Sequence, residues 1–487
     1  MSFDLLHESL RTDLAEKLGK DVKILIIDKD LIGKLSLFTD NKFLKENGVE
    51  KLYTRENIDA IPTENNVVFL CSNLKSLRSI ANLINNDKVK REYRILYVSD
   101  SAFLTDPIVK SITKKIEFDV LSLDLFVLSE DLLSQEKSGT FRDLTIDGGM
   151  SIVHDAACAV AKLEVLYETI PDIIVFGPKS SNVMDQIKRM RLDNYKSSKF
   201  GKLIILDRSL DLITPLLTHH TYEGLIDDFL GIKQNVVDSF VLKPDDPVFP
   251  EIRSTNWAEA TGLLSKKAKE ISEKYSRLQG ATIHQLKDIA LSIKEHQSLE
   301  KHVNMATKIS NMIDPTYTKI IHLEQAMICG DCDDKPHILI NTLIAQKYNV
   351  NHVLRLVCLH SQVGCSKKTL SFYREEILQT YGFEMMITLS NLEKVGLLVI
   401  KEKYLPVSDN PYSSCYSGYT PKSISQIAGR VTKTGKTTVI LFLGGCTRGE
   451  IAAIHLLSEH SDEKIVVMTT EILNNLSMIS SIVNGAA

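Results

Sequence analysis

Residues 204–232, IILDRSLDLITPLLTHHTYEGLIDDFLGI, constrain the fold of this chain more than any other stretch. The apolar run Leu203 to Leu206 ends in an acid, Asp207. Such a run reads as a parallel-sheet strand buried on both faces. Thr214 then offers a capping hydroxyl and Pro215 stands at a first helical position, so a helix is predicted to start there. Beyond it come His219, His220, Tyr222, Glu223, Asp227 and Asp228. Ionisable groups crowded just past a buried strand fit either an active site or a domain junction.

The totals narrow the choice. At 487 residues there is room for about three domains. A formal charge of −4 and a pI near 6.4 give no basic footprint, so no nucleic-acid partner is expected. The first residues, MSFDLLHESLRTDLAEKLGKD, carry charges every few positions, which does not suit a signal peptide. No run approaches the roughly 20 apolar residues of a spanning helix. Eight cysteines over this length do not make a disulfide framework. A soluble, intracellular, reduced protein is expected.

Residues 1–20 have helical spacing, with Leu5, Leu6, Leu10, Leu14 and Leu18 on one face. Short apolar runs follow at Lys23 to Ile27, Val67 to Leu70, Arg94 to Val98 and Phe118 to Leu123. Their alternation with helical segments predicts a parallel α/β sheet in a domain spanning 1–125, and without a Gly-rich turn no dinucleotide site. A second α/β region, 126–232, holds a helix at 150–168 and strands at Asp172 to Phe176 and Leu203 to Leu206. Two strands make a poor sheet. The runs TVILFL and KIVVM, in 404–487, supply the missing partners. One sheet split by an insertion at 233–403 is the result.

The insertion reads as helical. Ala260, Leu263, Leu264, Ala268, Ile271, Tyr275 and Leu278 line one helix, and Ile283, Leu286, Ile289, Ile293, Leu299 and Val303 a second. Gly280 falls between them, predicting an αα-hairpin whose outer face carries Lys266, Lys267, Lys269, Lys274 and Arg277. Such a face is either simply solvated or a platform for another protein's helix. Shorter helices are expected at 336–347, 351–361, 367–380 and 383–396.

Each catalytic pattern fails on spacing. TKTGKTT at 432–438 lacks the upstream glycine of a phosphate loop and precedes a strand where it should follow one. LFLGGCTRGEIAAI has strand–turn–helix order, but Cys446 stands where a dinucleotide motif needs glycine, so Gly444 and Gly445 are assigned to close packing. Cys329 and Cys332 have redox or zinc spacing without a second ligand pair; they read as thiols in a helix–helix loop, with zinc as the alternative. Asp207 and Asp211 resemble the strand-end acids of phosphoryl-transfer enzymes, yet they are four apart and Arg208 lies between, which favours a structural Asp–Arg pair. No catalytic residue, cofactor or metal is assigned. The residues describe an interaction protein, and a nucleotide- or Mg-dependent phosphoryl-transfer enzyme is the rival reading.

ILDRSLDLITPLLTHHTYEGLIDDFLGI resembles a signature of the Sec/Munc (SM) family, SNARE-binding regulators of membrane fusion, and LFLGGCTRGEIAAIHLLSE resembles its second signature. Residues 353–398 are similar to the vacuolar protein sorting 33 subgroup. The resemblance implies an α/β plus α chain built as a three-domain arch: an N-terminal parallel sheet, a split sheet and a helical insertion. It implies a subunit of the endosomal, lysosomal or vacuolar tethering complexes HOPS or CORVET, cytoplasmic and peripheral on those membranes. SNARE helices would lie in a groove between the first domain and the hairpin, where Lys266, Lys267, Lys269, Lys274 and Arg277 are the binding candidates. A vacuolar protein sorting 16-type subunit would dock near Arg374, Phe383 and Met386. Asp207, Arg208, Asp211, Tyr222 and Asp227 are then read as a structural junction. Between Leu398 and Val439 the chain is shorter than typical members.

Overall fold

The computed structural model describes residues 3–62, 65–98, 107, 109, 112, 114–191, 199–238, 240–243, 246–278, 286–330, 335–400, 437–460 and 463–483; of these, 271, 272, 274–278 and 286–293 are described in backbone only. They form two compact units, Met1–Glu136 with Lys233–Val236, and Lys137–Ile232 with Val237–Ala487.

In the first unit, helix α1 (Asp4–Leu18) precedes β1 (Lys23–Ile27), α2 (Lys29–Ser36), α3 (Asn41–Glu46), β2 (Val49–Thr54), β3 (Asn66–Cys71), α4 (Leu74–Asn86), β4 (Tyr93–Val98) and β5 (Ile116–Leu121). The strands pair in parallel in the order β2-β1-β3-β4-β5. Alternation along each strand feeds two cores. Leu25, Ile27, Val68 and Leu70 meet Leu10, Leu14 and Leu18 of α1, while Ile24, Ile26, Val67 and Phe69 meet Leu77 and Ile80 of α4. Leu5 is exposed, outside the buried stripe that its spacing suggested. β2 was not expected, because VEKLYT carries charges at Glu50 and Lys51; it is an edge strand, where such charges guard against further pairing. At the carboxyl ends of the strands the buried Asp28 accepts from Arg55 Nε at 2.8 Å and from Ser72 N–H at 3.1 Å. A short antiparallel hairpin, β6 (Phe126–Ser129) and β7 (Leu132–Ser134), ends this unit's main segment.

The second unit opens with α5 (Thr140–Thr145), α6 (Met150–Tyr167), β8 (Asp172–Phe176), α7 (Pro178–Met190) and β9 (Phe200–Asp207). β9 does not find its inner neighbour nearby in sequence. It pairs in parallel with β10 (Thr437–Leu443), with Leu203 opposite Val439 and Asp207 opposite Leu443. β8 flanks β9, and β11 (Ile465–Thr469) flanks β10. The split sheet expected from the apolar runs is therefore what forms. After β10 the chain turns through Gly444 and Gly445 at φ +91° and +101°. A Cβ on Gly445 would stand 2.7 Å from Leu473 Cγ, so glycine here serves close packing, as the motif suggested. The helix that follows is α16 (Arg448–Glu459). It starts with a full capping box between Thr447 and Glu450.

The helix expected at Thr214, ahead of the insertion, differs from expectation. Thr214–Leu216 is only one 3₁₀ turn, because Asp211 Oδ1 takes the N–H groups of Ile213 and Thr214 and Leu217 is already extended. The helix α8 (Tyr222–Phe229) begins later, capped by Thr221, whose hydroxyl accepts from Gly224 N–H. Then come α9 (Trp257–Leu278) and α10 (Leu286–Met312), packed on each other as the predicted hairpin; Gly280 and Ile283 lie outside the described residues. Ala260, Leu264, Leu299 and Ile309 form their shared core. α11 (Pro315–Cys329) was not anticipated, although Asp314–Pro315 is a start signal and Asp314 does accept from Tyr317 N–H at 2.6 Å. α12 (Lys335–Ala345), α13 (Val350–Gly364), α14 (Lys367–Tyr381) and α15 (Met385–Lys394) match the shorter helices. They enclose a core centred on α13, with Val353, Leu354, Leu356, Val357 and Leu359 all buried. α17 (Ser477–Val483) packs against it through Met478 and Ile479.

Candidate functional site

The end of β9 is a meeting point of buried ions. Asp207 does not pair with Arg208, contrary to the expected Asp–Arg pair. Its two oxygens accept backbone N–H groups, from Ser209 at 3.0 Å and Lys179 at 3.1 Å. Arg208 instead crosses to the far half of the split sheet and donates to both carboxylate oxygens of Glu450, at 2.9 and 2.8 Å. Both residues are buried, and Asp211 lies 3.4 Å from the same guanidinium. Glu450 also accepts from Thr447 N–H, so one carboxylate caps α16 and neutralises Arg208. Next to it Arg448 donates to Glu223 at 2.5 Å and stands 3.9 Å from Asp227, while Glu223 also lies 3.5 Å from Arg253. In the Arg208–Glu450 contact one guanidinium nitrogen, Nη1, bridges both carboxylate oxygens, which centres the arginine on the acid.

Further bonds run from this cluster into the helices. Tyr222 is fully buried, its hydroxyl 3.0 Å from His302 Nδ1 on α10, and its ring stacks on Trp257 of α9 at 5.8 Å. His302 lies 3.5 Å from Asp246. Burial alone would raise the Asp246 carboxyl, but bonds from His302, Ser298 and two backbone N–H groups hold it well below the usual range. Thr218 donates through N–H and hydroxyl to Glu324 of α11, which is paired with the buried Arg355 of α13 at 2.6 Å. Asp228 accepts from His219 N–H and stands 3.1 Å from its Nδ1; burial would depress the imidazole, yet this carboxylate leaves it raised. Asp227 accepts from Ile232 N–H at 2.8 Å, and burial pushes it up to about 6 in spite of Arg448. The strand-end acids are committed to bonds that hold the two halves of the sheet and the helices together.

Of these residues, the sequence singled out Asp207, Arg208, Asp211, Tyr222 and Asp227. It missed Glu450, Arg448, His302, Glu324 and Arg355. Thr447-x-x-Glu450 before an apolar run was a readable capping signal, and Arg355 inside the otherwise apolar VLRLVCL was a readable sign of a buried partner. Which carboxylate each arginine meets depends on the fold alone.

The exposed candidates sit elsewhere. On α9, Lys266 and Lys269 are exposed, but Lys267 is drawn to Glu251 at 2.7 Å. The side chains of Lys274 and Arg277 lie outside the described residues. Where α14 turns into α15, Phe383 is 76% exposed, Ile387 63% and Met386 54%. Arg374 borders them, paired with Glu393. An apolar cluster this bare on an otherwise well-packed helical core marks a contact surface. Cys329 ends α11 and Cys332 lies outside the described residues; among the described residues no group of three His, Cys, Asp or Glu side chains is placed to hold a metal. Among them, too, no helix is long and apolar enough to cross a membrane.

These features define a class of interaction scaffold: a split parallel sheet, ion-locked across the split, that carries a long helical hairpin and a bare apolar turn. Comparison with known proteins carries this further. The Sec1 family profile matches residues 23–434 and 421–481. The chain is 30% identical to vacuolar protein sorting-associated protein 33A of Rattus norvegicus, across 99% of this chain and 98% of that one. It is 28% identical to the vacuolar protein-sorting-associated protein 33 homolog of Arabidopsis thaliana, across 95% and 94%. In fold it resembles the Unc18–syntaxin 1 complex of Monosiga brevicollis, with a TM-score of 0.65 at 15% identity over 98% of this chain and 99% of that one. The chain belongs to the Sec1 family, the SM-type regulators of SNARE-mediated membrane fusion, and is most like its vacuolar protein sorting 33 members.

Replacing Arg208 by Met strands Glu450 as a buried unpaired charge and costs roughly 3–5 kcal/mol. Arg208→Met with Glu450→Gln keeps the cap, removes the stranded charge and recovers most of that loss. Urea unfolding of the three proteins checks this; a double variant as unstable as the single one contradicts it. Asp227 gives a pH prediction. Its folded value is raised from 3.8 to about 6, so its stabilising contribution is complete below pH 3.8 and is lost as pH rises through about 6. Asp227→Asn removes that slope, gaining on the wild type by about 2–3 kcal/mol between pH 4 and 7. Unfolding midpoints across this range provide the measurement.

Proposed function

We propose that this SM-type regulator works as a subunit of an endosomal, lysosomal or vacuolar tethering complex of the HOPS or CORVET class. On this reading it binds SNARE helices and promotes their assembly into a fusion-competent bundle. It acts by binding and not as an enzyme. The observation that carries the reading is the pairing of a long helical hairpin, α9 with α10, to a sheet junction whose acids are all engaged. A hairpin held from its base by the Tyr222–His302 bond and the Tyr222–Trp257 stack presents a rigid helical face, and a rigid face loses little entropy on meeting a partner helix. The likeness to sorting proteins over nearly the whole chain supports the vacuolar setting. The relative of similar fold from Monosiga is a complex with syntaxin 1, which supports a SNARE as ligand.

The residues proposed for SNARE contact are Lys266, Lys267, Lys269, Lys274 and Arg277. Lys266 and Lys269 are the strongest of them, since Lys267 must first leave Glu251. The second proposed surface, Arg374 with Phe383 and Met386, takes the vacuolar protein sorting 16-type subunit. That contact would bring the chain to the membrane of late endosomes, lysosomes or vacuoles as a peripheral component. The division into domains at 1–125, 126–232 with 404–487, and 233–403 belongs to the same proposal. The phosphoryl-transfer alternative draws no support from Asp207, whose oxygens are taken by Ser209 and Lys179 N–H groups.

Lys266→Glu, Lys267→Glu and Lys269→Glu together are expected to weaken binding of a vacuolar-type SNARE helix at least about tenfold, by loss of attraction and steering. Fluorescence anisotropy with a labelled SNARE-motif peptide reads this, and unchanged affinity removes the hairpin face from the proposal. Phe383→Asp places a charge on a contact meant to be dry, at a cost of roughly 2–4 kcal/mol of partner binding. Co-purification with the 16-type subunit should be lost in that variant; retention at wild-type level contradicts the assignment.

A further inference from the structure

The cysteines described in the structure fall into unlike surroundings. Cys71, Cys358, Cys365 and Cys446 are buried, and desolvation pushes every one of their thiols up, Cys365 to about 11 and Cys446 to about 12. Such thiols are inert at neutral pH. Cys158 is placed differently. It lies on α6, only partly covered, and one turn before it stands the exposed His154. The sulfur is 3.4 Å from His154 Nε2. The other ring nitrogen, Nδ1, is 3.2 Å from Gln186 Oε1, contributed by α7, the helix packed alongside.

This order, thiol to imidazole to side-chain amide, is the arrangement that activates a nucleophile through an oriented base. An amide oxygen on Nδ1 calls for a proton there. Nε2 is then the bare nitrogen, facing the sulfur. The i, i+4 spacing on a helix holds Cys158 and His154 on one face, and the second helix supplies the orienting group. The part the protein must hold rigid is therefore built from two packed helices. None of these three side chains belongs to the junction or to either exposed surface described above.

We propose that Cys158 is a modification site, a thiol activated by His154 for exchange with low-molecular-weight disulfides. In the step, the Cys158 proton passes to His154 Nε2 and the thiolate sulfur attacks one sulfur of the disulfide. The disulfide bond breaks as the new mixed S–S bond forms. The departing thiolate takes the proton back from the imidazolium, so a thiol and a disulfide become a mixed disulfide and a thiol. No other oxidant is needed. His154 is the base, and Gln186 is a positioning residue acting through it.

The test uses the full chain and glutathione disulfide at neutral pH, with site-resolved peptide mass spectrometry following mixed-disulfide formation at Cys158. The rate there is expected to exceed that of free cysteine about tenfold, because the adjacent imidazole raises the thiolate fraction that attacks. His154→Asn should bring it down to the free-cysteine rate. Gln186→Leu should lower it severalfold, while Gln186→Glu, which keeps an acceptor on Nδ1, restores it; a merely structural Gln186 would not distinguish the two. Circular dichroism confirms that each variant is folded. A wild-type rate no faster than free cysteine, or one that His154→Asn leaves unchanged, overturns the proposal.

Discussion

The split sheet of the second unit depends on one contact, the buried ion pair between Arg208 and Glu450. These residues follow two strands, β9 and β10, that sit side by side although the whole helical insertion separates them in sequence. Strand pairing alone does not fix their register, because LIIL and VILFL are apolar throughout and read similarly when displaced. The ion pair does fix it. A slip of one residue moves the guanidinium away from the carboxylate and leaves two charges uncompensated in the core. A buried pair of this kind adds little net stability over a hydrophobic replacement, but it penalises every arrangement in which it is broken. Its contribution is to select one arrangement.

The same logic extends outward. Arg448 and Glu223 repeat the device one step further on, and Arg355 with Glu324 repeats it among the insertion helices. Each joins separate elements, and the Glu450 and Glu324 carboxylates also accept backbone and hydroxyl hydrogens, while Glu223 meets a second guanidinium, Arg253. The hairpin itself is fixed at its base by the buried Tyr222–His302 bond, where apolar packing alone would tolerate sliding. Its outer face is left free to carry charge. A regulator that works by presenting a helix face needs this division between a locked base and an uncommitted surface.

Much of this was legible from residues alone. Unbroken apolar runs marked β9, β10 and β11, and the scarcity of strands near β9 pointed to partners far along the chain. The periodicity of α9 gave the hairpin, and the family signatures gave the class. Other parts were not legible for physical reasons. β2 is an edge strand whose exposed charges hide it. The start of α8 was misplaced because Asp211 takes the Ile213 and Thr214 N–H groups in a turn of its own, and the chain is extended again at Leu217 before a helix can grow from Thr214. The pairing of Arg208 was misassigned to its neighbour Asp207 because sequence shows proximity along the chain, and the true partner is 242 residues away. Exposure of Phe383 could be suspected from YGFEMM, yet the bareness of Ile387 beside it appears only when the helix is placed.

The split topology has a consequence for how such a chain can be assembled. Closing a loop as long as the insertion costs little more free energy than closing a loop half its length, about 0.6 kcal/mol per doubling. Thermodynamics therefore tolerates the insertion. Kinetics is less tolerant, since β9 waits unpaired on one side until β10 has been made, and non-local parallel pairing is slow. The insertion helices contact one another locally and gather around α13 without needing β10, although α17 adds to that core once the chain is complete. The order expected from these contact lengths is a helical body first, then β10 docking on β9, with Arg208 meeting Glu450 last. The ion pair that specifies the register is thus also the contact that completes the sheet, and an incompletely registered sheet lacks the base from which the hairpin is held.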